Sequence, residues 1–100
     1  MKDSELLARY AEEGSEMAFT ELVRRHVDLV HSAALRQVGG NAALAQDVTQ
    51  TVFIDLARKA RTLSSRTVLT GWLYTSTRFA AAKQVRSEQR RLATERCEAL

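Results

Sequence analysis

The stretch NAALAQDVTQTVFIDLARKARTL, residues 41–63, decides the fold. Ala45, Val48, Val52, Leu56, Ala60 and Leu63 recur in three- and four-residue steps, so winding the chain at about 100° per residue gathers them into one apolar stripe. Asn41 precedes them, a residue whose side-chain oxygen can accept from the unpaired N–H groups of a first turn. The spacing predicts a helix capped by Asn41 and reaching about Leu63.

Working outward, Gly39 and Gly40 close the element before it. In that element Phe19, Leu22, Val23, His26, Val27, Val30 and Ala33 or Ala34 keep helical spacing after a capping Ser15. A further segment opens with Asp3 or Ser4 as cap and runs to about Glu13, ahead of Gly14. Downstream, TLSSRTVLT (62–70) interrupts the pattern with β-branched and hydroxyl residues and reads as a loop. Thr70 is the expected cap of a fourth helix that passes through Ala80–Ala82 into a run of arginines and frays in its last turns. With proline absent and only four glycines, the expectation is all-α: a compact bundle of about four helices over residues 1–92, with 93–100 a tail or the start of a linker.

Composition narrows the function. One hundred residues, 45% hydrophobic and 27% charged, form one small domain with little room for a buried catalytic pocket. The start MKDSELLARY lacks a signal-peptide core and no apolar run is long enough to span a membrane, so a cytoplasmic protein is expected. Cys97 stands alone, which excludes an intrachain disulfide and a CxxC pair. His26 and His31 are five apart, off the spacing of a helical metal pair, with His26 expected at the core edge and His31 on the surface. No phosphate-binding glycine loop or nucleophile motif is present, so neither an enzyme nor a cofactor or metal site is expected. Charge is uneven: residues 1–50 hold 5 Lys/Arg against 8 Asp/Glu, and residues 51–100 hold 10 against 4. The second half invites a polyanion.

Two helix faces are left over by the core pattern. With Val48, Val52 and Leu56 inward, Ile54 points away, beside Asp47, Gln50 and Arg58, with Phe53 on the shoulder. An apolar centre with a polar rim suits a protein partner, the other reading being a plain surface or a face covered by the first helix. On the fourth helix, Trp72, Phe79, Lys83, Arg86 and Arg90 fall in one arc, while Leu73, Thr77, Ala81, Val85 and Leu92 lie broadly opposite. Rings stack on unpaired bases and cations neutralise phosphates, so this arc suits single-stranded nucleic acid; the other reading buries both rings against the loop and leaves the arginines as a solvated tail. Ser64, Ser65, Arg66, Thr67 and Thr70 of the loop add base-edge or phosphate contacts.

DSELLARYAEEGSEMAFTELVRRHVDLVHSAALRQVGG, ALAQDVTQTVFIDLARKA and GWLYTSTRFAAAKQVRSEQRR, in that order and spacing, resemble region 2 of the sigma-70 family in its extracytoplasmic-function branch. The resemblance implies a non-catalytic domain that docks on the clamp coiled coil of the RNA polymerase β' subunit and captures the non-template strand of the minus-ten promoter element. It places polymerase docking at Asp47, Gln50, Thr51, Phe53, Ile54 and Arg58. Promoter contact falls to Ser64, Ser65, Arg66, Thr67, Trp72, Arg78, Phe79, Lys83, Arg86 and Arg90, and an anti-sigma factor would be a further partner. The chain departs from the family pattern where Gln46 and Thr51 stand for frequent Glu, and where Phe79 and Lys83 stand for Asn and Asp. Nothing in these 100 residues resembles the promoter-reading region 4, so either an isolated region 2 or a piece of a longer chain is expected. The rival functions are a helical protein-protein adaptor with a solubilising basic tail and an RNA-binding helical module.

Overall fold

The computed structural model describes residues 1–63 and 67–99. Four helices follow in order: α1 (Asp3–Glu13), α2 (Glu16–Gln37), α3 (Ala42–Lys59) and α4 (Leu69–Ala99). All regular structure among the described residues is helical, so the all-α bundle expected from the sequence is the fold.

Two of the expected caps are in place. The Ser15 hydroxyl accepts from the Ala18 N–H at 3.2 Å, and Asn41 Oδ1 accepts from the Leu44 N–H at 3.1 Å. Between α1 and α2 the chain turns on Gly14, whose φ of 69° lies in the left-handed region that a side chain would strain. That turn lets Gly14 and Ser15 donate to the carbonyls of Tyr10 and Arg9 at 2.9 and 3.4 Å.

Other boundaries differ from expectation. Lys2, not Asp3 or Ser4, occupies the cap of α1, and no side chain caps it. Asp3 is engaged elsewhere: its carboxylate accepts from Arg25 at 3.1 Å and lies 2.8 Å from His26 Nε2, tying α1 across the hairpin to α2. α3 ends at Lys59 rather than Leu63, its carbonyl then accepting from Thr62 and Leu63 in a tight turn. α4 begins at Leu69, so Thr70 lies inside the helix, and it stays helical to Ala99 where fraying was expected.

α2 packs against all three other helices and α3 against α2 and α4. Leu22, Val30 and Ala34 of α2 meet Ala45, Val48, Val52 and Leu56 of α3, with Leu73 and Ala81 from α4, in one continuous core closed at the α1 side by Leu6 and Leu7. Tyr10 and Phe19 add a tilted ring pair at 4.6 Å across the α1–α2 hairpin. The buried hydroxyls of Thr49 and Thr77 donate to the carbonyls of Ala45 and Leu73, four residues back, at 2.8 and 2.7 Å. Past Val85, α4 outruns the core: Leu92, expected inward, is 43% exposed because no other helix reaches it, and the molecule stretches to 56 Å against 22 and 21 Å across.

Candidate functional site

On α3, the stripe Val48, Val52 and Leu56 is fully buried, and the opposite side carries Asp47, Gln50, Ile54 and Arg58 in the open. Ile54 is 51% exposed, so α1 does not cover it. Asp47 and Arg58 form no ion pair among the described residues, so their charges are free for a partner. Thr51 is half-buried. Phe53 is a correction: at 8% exposure it belongs to the core and its ring is not on the outer face. With both α2 and α4 on α3, the buried arc is wider than the expected apolar stripe and extends through Thr49 to Phe53.

On α4, Leu73, Thr77 and Ala81 are buried and Val85 half-buried, which turns the arc of Phe79, Lys83, Arg86 and Arg90 to solvent. The two rings divide: Trp72 packs against the core as a half-buried side chain, whereas Phe79 is 74% exposed on the second turn after it. Arg78, Lys83, Arg86 and Arg90 are exposed and unpaired among the described residues. Arg91, next in sequence but on another side of the helix, is neutralised by Glu88 at 2.6 Å and by Glu95. Hydrogen bonding from Arg91 holds the Glu88 carboxyl below its ordinary value. The helix thus sorts its cations into one compensated cluster and one uncompensated row beside an open ring.

Thr67 is half-buried at the approach to α4, while Ser64, Ser65 and Arg66, also expected to meet DNA, lie outside the described residues. A groove of about 540 Å³ opens beside this segment, walled by Leu7 and Glu12 of α1, by Arg61 and Leu63, and by Thr67 and Leu69. Arg61 fixes one rim by donating to the Ala11 carbonyl at 3.2 Å.

A second groove, about 330 Å³, was not foreseen. Thr75, Arg78, Phe79 and Ala82 form its α4 wall, and Gln37, the last residue of α2, forms the other. Gln37 carries no sequence signal of its own, because only the packing of α2 against α4 brings it to Phe79.

His26 is buried against Asp3 and His31 is exposed, as expected, and no cluster of three metal-ligating side chains exists among the described residues. Among the described residues, no helix is long and apolar enough to cross a membrane.

No curated protein and no solved structure matches the chain significantly. The profile of the family described as Sigma-70 region 2 matches residues 22–91, from the second turn of α2 through the exposed ring and basic row of α4, leaving α1 and the far end of α4 outside. With that match over well more than half of its length and a four-helix fold to carry it, the chain belongs to the sigma-70 region 2 family of transcription initiation factors, a non-enzymatic domain whose role is in RNA polymerase binding and promoter recognition.

Proposed function

We propose that the chain is the promoter-recognition domain of an alternative sigma factor of the extracytoplasmic-function branch. The outer face of α3, with Ile54 at its centre and Asp47, Gln50, Thr51 and Arg58 around it, docks on the clamp coiled coil of the polymerase β' subunit. The loop before α4 and the Trp72 to Arg90 face hold the non-template strand of the minus-ten element. The observation that carries this reading is the open Phe79 ring in register with Lys83, Arg86 and Arg90, which are unpaired among the described residues. A base stacked on this open ring covers apolar surface on both partners, which contributes about 1–3 kcal/mol per base. The adjoining cations neutralise backbone phosphates and release counterions.

Melting follows from the same contacts. A duplex hides its base faces, so a surface that gains energy from stacked bases binds the open strand more tightly than the closed helix and shifts the equilibrium toward the open state. Phe53 acts from the core, holding α3 in place, and Trp72 supports the start of α4.

Anisotropy titration of the chain against one labelled sequence, single-stranded and as duplex, tests the proposal. Tighter binding of the single strand, with a salt slope near −0.7 for each neutralised phosphate, is expected. Equal binding of both forms would favour a protein adaptor with a basic tail, and tighter binding of the RNA equivalent an RNA-binding module.

A further inference from the structure

We infer that Gln37 reads the edge of an unpaired adenine seated in the groove between the end of α2 and the middle of α4. The inference rests on the single-strand reading of the α4 face and adds a base-specific contact from a helix not previously assigned to it. Four of the five residues lining the groove belong to α4 and offer a ring, a guanidinium, a hydroxyl and a methyl; Gln37 alone comes from the other wall. Its carboxamide presents an acceptor beside donors, the pattern that pairs bidentately with the N6 and N7 positions of adenine. Neither Gln37, Thr75 nor Arg78 spends its side chain on a hydrogen bond with another described residue. These groups are therefore free for a ligand.

Electrostatics fixes which way the nucleotide lies. α2 ends at Gln37, so the negative pole of its dipole, about half an elementary charge, faces the groove and repels phosphate from that wall. Arg78, Lys83 and Arg86 on the opposite wall and along the same helix attract it. Phosphate on the α4 side, ring stacked on Phe79 and base edge toward Gln37 is the arrangement that satisfies all three.

The test uses the 100-residue chain and a thymine-background single-stranded DNA oligonucleotide with one position set to adenine, guanine, cytosine or left abasic. Wild type is expected to favour adenine over guanine and cytosine by about 5-fold or more, and every base over the abasic site through stacking on Phe79. Gln37→Ala should remove the adenine preference with the salt slope unchanged, and Gln37→Glu should move it toward cytosine, whose N4 amino group donates to a carboxylate. Adenine preference retained in both variants, or absent from a wild type that still binds single strands, overturns the assignment of Gln37 alone. Failure of wild type to bind any single strand overturns the single-strand reading and this inference together.

Discussion

Ser15 and Asn41 each offer one side-chain oxygen to the first turn of a helix, and both were legible because capping depends only on residue type and position next to the periodic run. Replacing either by Ala should cost about 1 kcal/mol, read as a fall in the midpoint of thermal or urea unfolding. Leu56 is fully buried, and Leu56→Ala should cost about 2–5 kcal/mol by the same readout. Where a residue's partner is far away in sequence, local reading failed. Asp3 has the chemistry of a cap, yet Arg25 and His26, more than twenty positions on, hold its carboxylate instead. Phe53 stands at the shoulder of a wheel, and only the second helix packed on α3 decides that it goes inward. On the surface of α2, hydrogen bonds first from Arg24 and then from Arg25 pull the Glu21 carboxyl from 4.5 down to about 2. A carboxyl lowered on folding stabilises the protein above its unfolded value, and that contribution is lost as pH falls from 4.5 toward 2. Glu21→Gln should therefore lower the stability of the variant above about pH 4.5, where that contribution is full, and bring it level with wild type toward pH 2, flattening the acid limb in between.

At the scale of the element, α4 is one helix with two electrostatic halves of its circumference. Glu88, Arg91 and Glu95 satisfy each other on one side, while Lys83, Arg86 and Arg90 have no ion-pair partner among the described residues. The contrast separates two kinds of arginine that composition alone counts as equal. Arg86→Ala or Lys83→Ala should lower the magnitude of the salt slope for single-stranded DNA by roughly the contribution of one phosphate contact. Arg91→Ala should leave that slope alone and instead reduce helicity at the exposed end of α4, seen by circular dichroism, because it removes paired contacts one turn apart. The arc holding Phe79 and these cations was legible from a wheel, since α4 buries Leu73, Thr77 and Ala81 as the apolar pattern requires. The end of α4 was not, because Leu92 keeps the period of the buried face after the bundle that would bury it has stopped.

The whole molecule sets two surfaces on two helices that share one core. α3 and α4 are packed together, so the outer face of α3 proposed for docking and the open face of α4 proposed for the strand are positioned by the same buried residues. The architecture and both outward faces could be read from apolar spacing, whereas the groove at Gln37 and the tie from Asp3 to α2 exist only once the helices are assembled. Because Ile54 is exposed and makes no contribution to the core, a charge placed there tests docking without unfolding the domain. The decisive measurement is binding of the chain to the isolated clamp coiled coil of the RNA polymerase β' subunit, for wild type, Gln50→Ala and Ile54→Asp, with unfolding midpoints recorded alongside. Wild-type binding, weakened about tenfold or more by Ile54→Asp and less by Gln50→Ala with midpoints unmoved, is the predicted result, a loss of about 1.4 kcal/mol or more at the centre of the surface. Wild-type binding that Ile54→Asp leaves intact, or no wild-type binding at all, would contradict the account.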